Sequence, residues 1–156
     1  MSGNAVACRR TALPEIPPGD AAVADTARGI IERVGADPLT SLVLRSTARG
    51  AIALIADDSV ALGAARGLEV VITAAPPPRG GNTWRVHRFE VRAADGIAAM
   101  DGQLEREQSR WRLRRADGTL VPLPVVPASV AALVGARIYW VGPTDRAPVA
   151  YGVLRR

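Results

Sequence analysis

The stretch LVGARIYWVG at residues 133–142 decides the fold, because its pattern occurs twice in the chain. The earlier copy reads ARGLEVVITA, at residues 65–74. Its glycine, Gly67, precedes Gly135 by 68 residues, and the turn glycines Gly50 and Gly118 are separated by the same interval. This constant spacing indicates a tandem duplication. In both copies the stretch is the fourth strand of a unit, entered from a short helix that ends at glycine.

The duplication divides the chain into an arm and two units. Residues 1–27 are rich in proline and alanine without sustained periodicity, which predicts a flexible arm. The units are residues 28–95 and 96–156, where short β-rich runs alternate with turn signals. We therefore expect an all-β protein. The expected strands are 29–34, 39–46, 51–56, 68–73 and 84–92 in the first unit, and 102–108, 110–115, 119–126, 137–141 and 149–155 in the second, with helices at 60–66 and 130–134.

Three strands, a short helix and two strands is the order of a five-stranded OB-type barrel. Residues 133–142 resemble the L-x-G-x-x-V-x-V-x-G ending of small OB-like bacterial domains. The resemblance covers roughly residues 28–156 and implies two tandem OB-like barrels, each with a short helix between strands three and four. It implies a fold rather than a function. Because each unit has only about sixty residues, we expect the two barrels to pack against each other.

Two prolines mark an edge in the second unit. Pro122 and Pro124 lie two residues apart in its third strand, so both remove an N–H donor from the same side. We expect that side to be unpaired or to face the other unit.

The charge is modestly positive and is carried only by arginine. The chain has 20 basic residues, 15 acidic residues and a net charge of +5, and it contains no lysine. Most of the excess lies in residues 96–156. This balance permits nucleic-acid binding without requiring it.

The first hairpin of the second unit pairs acids with arginines. A two-residue turn at Gln108-Ser109 places Glu107 opposite Arg110 and Glu105 opposite Arg112, with Arg106 able to lie over the ring of Trp111. This pairing leaves Arg114 and Arg115 uncompensated, so they are expected binding residues. Trp111 is either a stacking platform for a single strand or a core residue beside the neighbouring leucines.

The loops between the fourth and fifth strands are a second expected site, since this loop helps to bind ligands in OB folds. In the first unit the loop contains Arg79 and Asn82 and leads into Trp84; in the second it contains Arg146. The alternative is a surface loop stiffened by its prolines.

Several chemistries are excluded by composition. Without lysine the chain has no Walker-type phosphate lysine and no Schiff-base amine. One histidine and one cysteine cannot form an ordinary structural zinc site, and no G-x-S-x-G elbow is present. We expect no enzymatic activity, no metal and no cofactor.

The surroundings of Cys8 raise a separate question of location. No apolar run approaches the length of a membrane-spanning helix, so the chain as written is expected to be cytoplasmic. Yet the stretch AVAC at residues 5–8 resembles the lipobox that precedes the lipidated cysteine of bacterial lipoproteins. If the reading frame begins upstream, this resemblance implies a lipid anchor at Cys8 and a place in the cell envelope.

Two functions remain open. The first is a non-catalytic interaction module that docks a protein partner through barrel edges and loops. The second is a single-stranded nucleic-acid binder, favoured by the fold and by arginine close to tryptophan, although only 4% of residues are aromatic.

Overall fold

A computed structural model describes residues 24–77 and 80–156. Ten strands and two short helices occupy these residues, which confirms the all-β expectation. The first repeat contains β1 (Asp25–Val34), β2 (Ser41–Ser46), β3 (Gly50–Ala56), α1 (Ser59–Ala64), β4 (Leu68–Ala75) and β5 (Thr83–Ala94). The second contains β6 (Ile97–Glu107), β7 (Arg110–Arg114), β8 (Leu120–Leu123), α2 (Ala128–Ala131), β9 (Arg137–Val141) and β10 (Ala150–Arg155).

The strand pairings of the first repeat form a closed cycle. β1 pairs with β2, β2 with β3, β3 with β5, β5 with β4, and β4 with β1. All of these pairings are antiparallel except β3–β5, in which residues 53–56 run parallel to residues 83–86. Every strand of this repeat therefore has two neighbours within the repeat.

The second repeat has the same order, but its cycle is open. Its strands run β8–β7–β6–β9–β10, and β8 pairs with no described strand other than β7. In the first repeat the closing contact uses residues 83–86 of β5. When the β9–β10 register is aligned with the β4–β5 register, residues 83–86 correspond to residues 145–148. These residues lie outside β10 and end at Pro148. Because proline has no N–H, it opposes extension of the strand through this position.

The two repeats are joined by a hairpin that was not among the expected elements. β5 and β6 pair across Asp95 and Gly96, whose φ angles are 49° and 77°. Positive φ at both central residues is the geometry of a type I′ turn, which favours Asp-Gly. The first strand of the second repeat consequently begins at Ile97, five residues before its expected start. Strand β1 also begins earlier than expected, at Asp25 and not at residue 29.

Equivalent contacts recur in the two repeats. The Gly67 N–H donates to the Ile31 carbonyl at 2.8 Å, and the Gly135 N–H donates to the Leu104 carbonyl at 2.8 Å. Both last strands also contain a bulge at the same register position, at Arg92 in β5 and near Leu154 in β10. The repeated landmarks in the sequence thus correspond to repeated hydrogen bonds.

Each repeat has its own apolar core. In β4, alternate residues point inward, as expected for a strand with one buried face. The core of the second repeat is built around Trp140, which is fully buried and whose Nε1–H donates to the Pro143 carbonyl at 3.0 Å. The other fully or nearly fully buried residues of the second core are Leu104, Leu113, Leu123, Val130, Ala136 and Ile138.

The repeats pack against each other, as expected from their small size. Leu154 of β10 is 1% exposed and belongs to the core of the first repeat, beneath α1. Its neighbour Arg155 pairs with Asp58, the N-cap residue of α1, at 2.9 Å. The last strand of one repeat therefore completes the core of the other.

Candidate functional site

The site begins with a change of strand partner that both repeats share. β1 pairs with β4 through residues 25–30 and with β2 through residues 30–34; β6 pairs with β9 through 99–103 and with β7 through 103–107. At this change Gly102 passes against the second strand, and a Cβ there would lie 2.5 Å from the Arg114 carbonyl oxygen. Gly29 occupies the same position in the first repeat and is still closer to the Arg45 carbonyl. Only glycine fits such an approach without movement of the backbone.

A groove lies beside each of these glycines. The groove of the first repeat has a volume of about 590 Å³, and that of the second has a volume of about 420 Å³. The residues that line the two grooves occupy equivalent register positions. Arg28 of the first repeat corresponds to Asp101 of the second, Arg45 to Arg114, and Glu69 to Arg137.

One ion pair is reversed between the two grooves. In the first repeat Arg28 of β1 pairs with Glu69 of β4. In the second repeat the acid is on the first strand and the base on the fourth, and Asp101 pairs with Arg137 at 2.6 Å. The Asp101 side chain is only 3% exposed, whereas Arg28 is 64% exposed. In the reversed pair the acid is therefore buried and the arginine is partly buried, whereas the arginine of its counterpart lies at the surface.

The buried pair connects the two repeats. Asp101 accepts a hydrogen bond from the Val91 N–H at 2.6 Å, beside the bulge in β5. Arg137 donates to the Phe89 carbonyl at 2.8 Å, and its guanidinium lies 4.2 Å from the centre of the Phe89 ring. Both charged groups are thus hydrogen-bonded, which burial of a charge requires.

The second groove is lined mainly by arginine side chains. Five arginines and one acid, Asp101, line it; the arginines are Arg114, Arg115, Arg137, Arg155 and Arg156. Four of them reach a carboxylate: Arg114 binds Glu105, Arg115 binds Glu90, Arg137 binds Asp101 and Arg155 binds Asp58. Arg156 forms no ion pair with any residue in the described part of the chain. Since guanidinium stays protonated, the groove is suited to holding an anion and not to transferring protons.

The expectation that Arg114 and Arg115 lack partners is wrong. Arg114 makes two hydrogen bonds to Glu105, at 2.6 and 3.1 Å, because the two residues are diagonal neighbours across the hairpin. Arg115 reaches Glu90 on the other repeat at 3.2 Å. The predicted hairpin register itself is confirmed, including Glu105 opposite Arg112. Pairing only the directly opposed residues of the hairpin does not predict the diagonal contact of Arg114 or the contact of Arg115 with the other repeat.

The same ion pairs change the acidity of two carboxyl groups near the groove. Hydrogen bonds from Arg114 and Arg112 lower the pKa of Glu105 below its ordinary value. The Ala61 N–H, at the start of α1, lowers the pKa of Asp58, and Arg155 adds to this against the opposing effect of burial. Both carboxylates therefore stay ionised at neutral pH and hold their arginines in place.

The predicted tryptophans do not line either groove. Trp111 is half-buried against the second core, and the Arg106 guanidinium lies 5.2 Å from the centre of its ring, as expected. Trp84 is 6% exposed within the first core and is covered by Arg49 at 5.1 Å. Both indoles thus contribute mainly to packing.

The remaining predicted residues are dispersed. The Asn82 side chain donates to the Ala51 carbonyl, and the Asn82 backbone carbonyl accepts from the Ala53 N–H at 2.8 Å, so Asn82 fixes its loop to β3. Arg146 is 72% exposed and pairs with its neighbour Asp145. Arg79 and Cys8 lie outside the described residues.

Sequence reasoning missed three arginines and an acid of the second groove. Asp101 and Arg137 are far apart in the sequence and are brought together because the first part of β6 pairs with β9. Arg155 and Arg156 follow the bulge in β10, beyond which the alternation of side chains changes. One signal was available, since Arg137 stands where the first repeat has Glu69. A charge reversal at equivalent positions of a duplication indicates that the two copies face different surroundings.

Within residues 24–77 and 80–156, no three His, Cys, Asp or Glu side chains are placed to hold a metal ion. In the same residues, neither helix has the length or the apolarity that crossing a bilayer requires.

We expect stability to fall at acidic pH because of the lowered pKa values of Asp58 and Glu105. A folded-state pKa below the unfolded value stabilises the fold at higher pH, and the stabilisation is lost as pH falls through the folded value. Urea unfolding should thus give similar free energies at pH 7 and 6 and a lower one near pH 3. The Asp58→Asn variant, which keeps a good helix cap, should show a weaker pH dependence. An unchanged dependence in that variant would contradict this assignment.

Comparison with protein-family models, curated proteins and solved structures found no match to this chain.

Proposed function

We propose that the chain is a non-catalytic binding module of two tandem OB-type barrels that docks a protein partner through strand edges and loops. The first repeat supports the barrel proposal because its pairings form the closed cycle β1–β2–β3–β5–β4, with parallel β3–β5 and a helix between β3 and β4. The second repeat has the same order, opened between β8 and β10.

The observation that carries the docking proposal is the free edge of β8. Its counterpart β3 pairs on both sides, whereas β8 pairs only with β7 among the described strands. An edge in a small barrel is a liability unless it is protected or covered by a partner. The strand cycle is therefore closed in the first repeat, and the second repeat has an exposed edge.

The composition of that edge supports contact through side chains rather than addition of a strand. Pro122 lies within β8 and Pro124 follows it, so two N–H donors are missing where a further strand would pair. Leu120 and Val125 are 41% and 47% exposed at either end of this segment. Apolar side chains beside a proline-protected edge favour a protein surface that contributes its own side chains.

Internal charge pairing argues against nucleic acid as the main ligand. Thirteen of the seventeen arginines in the described residues form ion pairs with carboxylates of the chain, so unpaired arginines are too few to neutralise the many phosphates of an extended strand. The three tryptophans are buried or half-buried, so they offer no open ring for stacking a base.

Selection of peptides from a displayed random library on the immobilised protein tests the proposal. An enriched peptide should bind Leu120→Asp about tenfold more weakly than the original protein, because a charge at the edge disrupts an apolar contact. The matched control is Leu39→Asp on the first repeat, where Leu39 is 84% exposed; this change should alter affinity less than about twofold.

Two results would overturn the proposal. One is equal binding of the enriched peptides to the protein and to Leu120→Asp. The other is failure to enrich any peptide, together with binding of a single-stranded oligonucleotide that weakens steeply between about 50 and 200 mM salt. The second result would identify the chain as a single-stranded nucleic-acid binder.

A further inference from the structure

We infer that the arginine groove of the second repeat binds an acidic peptide segment that carries an apolar side chain next to its carboxylates. This inference rests on the proposed function and specifies the chemistry of the partner. The groove contains five arginines and a single acid, Asp101, which is already bound to Arg137. The carboxylates that pair with Arg114, Arg115 and Arg155 do not line it. An incoming anion therefore meets guanidinium groups, and one of them, on Arg156, forms no ion pair with a described residue.

The guanidinium groups of the groove retain unused donors. Each has five N–H bonds, whereas Arg115 donates one hydrogen bond to Glu90 and Arg155 donates one to Asp58. Arg156 makes no ion pair with any described residue. Since guanidinium binds carboxylate through paired N–H donors, these three residues can each donate to an additional oxygen atom.

The floor of the groove is already held in position. The Arg137–Asp101 pair is fixed by the Phe89 carbonyl and the Val91 N–H, so the base of the groove needs no rearrangement on binding. A prearranged site loses less conformational entropy when a ligand binds. The corresponding groove of the first repeat lacks this rigidity, because its Arg28–Glu69 pair is exposed.

A smaller, apolar groove adjoins the arginine groove of the second repeat. It has a volume of about 210 Å³ and shares Gly135 and Arg156 with the larger groove. Its walls are formed by small and aliphatic residues, including Leu133 and Val134, and Val134 is 55% exposed. A ligand that crosses Arg156 thus meets guanidinium on one side and aliphatic groups on the other.

This combination favours a peptide over a single-stranded nucleic acid. No aromatic side chain lines either groove in the described part of the chain, so bases would find no stacking platform. The aliphatic groove accommodates a leucine-sized side chain, which a peptide supplies and a sugar–phosphate backbone does not.

Fluorescence anisotropy with three labelled probes tests the inference. The probes are a short peptide of glutamates around one leucine, the same peptide with glutamine in place of glutamate, and a single-stranded oligothymidine. The glutamate peptide should bind and weaken between about 50 and 200 mM salt, and the glutamine peptide should not bind. Arg156→Gln should weaken binding about tenfold.

Arg146→Gln is the matched control. It removes the same charge from an exposed position of the β9–β10 loop and should change affinity less than about twofold. Val134→Asn tests the aliphatic groove: it should weaken the leucine-containing peptide and leave an all-glutamate peptide unaffected. Unchanged unfolding midpoints establish that the variants are folded.

The outcomes separate this inference from the proposed function. If library-selected peptides depend on Leu120 but bind Arg156→Gln and Arg115→Gln normally, the groove is not the site and the docking function stands. If no peptide binds while oligothymidine binds and loses affinity in Arg156→Gln, both proposals are replaced by nucleic-acid binding. Failure of the glutamate peptide to bind at low salt overturns the inference.

Discussion

Replacing Asp101 with alanine is expected to lower the free energy of unfolding by about 3–5 kcal/mol. The change leaves the Arg137 guanidinium without its carboxylate at the junction between the repeats, and it removes the acceptor of the Val91 N–H. Loss of one partner is costly because the other remains desolvated and unpaired. Urea denaturation of the full chain measures the effect.

An exposed ion pair provides the comparison. Asp145 pairs with Arg146, and both side chains are 72% exposed, so Asp145→Ala should change the free energy of unfolding by less than about 0.5 kcal/mol. Equal effects of the two substitutions would show that burial does not determine the contribution of Asp101.

A double variant distinguishes charge from hydrogen bonding at the same position. In Asp101→Asn, the side-chain oxygen can still accept from the Val91 N–H, but the charge that neutralises Arg137 is lost. Adding Arg137→Met removes the unpaired cation, so the double variant should be more stable than Asp101→Asn alone. A double variant that is less stable would indicate that the stacking of Arg137 on Phe89 outweighs the unpaired charge.

Gly102→Ala is expected to destabilise the fold by about 3 kcal/mol, at the upper end of the range for overpacking. The new Cβ would lie 2.5 Å from the Arg114 carbonyl oxygen, and the backbone of β7 would have to move. Gly29→Ala should have an effect at least as large, because its position in the first repeat is equivalent and tighter.

Gly63→Ala is the matched control for this pair. Gly63 lies in α1, and a Cβ there meets no atom within 4 Å. The Gly63→Ala variant should be as stable as the original protein or more stable by up to about 1 kcal/mol, because alanine has a higher helix propensity than glycine. If all three alanine variants lost similar stability, the effect would come from glycine replacement in general and not from the close approach of two strands.

Local sequence rules were sufficient for the elements whose determinants are close together in the chain. The register of the β6–β7 hairpin follows from the turn at Gln108-Ser109 and from the alternation of charge, and the structure has that register. The order of strands and helices in each repeat follows in the same way from turn signals. The Asp95-Gly96 pair is an equally clear turn signal, and the hairpin there starts β6 at Ile97, before the expected start of that strand at residue 102.

The groove could not be predicted because it depends on contacts between distant residues. Its shape requires β6 to pair with β9 up to Gln103 and with β7 from Gln103 onward, a change that leaves no periodic trace in the sequence. Its charge depends on Arg155, which follows the irregularity near Leu154. A one-residue bulge reverses which side chains face a surface, so patterns of alternation fail beyond it.

The insertion of Leu154 into the core of the first repeat has a consequence for synthesis of the protein. Translation proceeds from the N-terminus, so residues 25–94 leave the ribosome well before Leu154 is available to them. Until β10 has emerged, the core of the first repeat lacks the Leu154 side chain beneath α1. The order of synthesis thus leaves the first core incomplete until nearly the whole of the second repeat has been made.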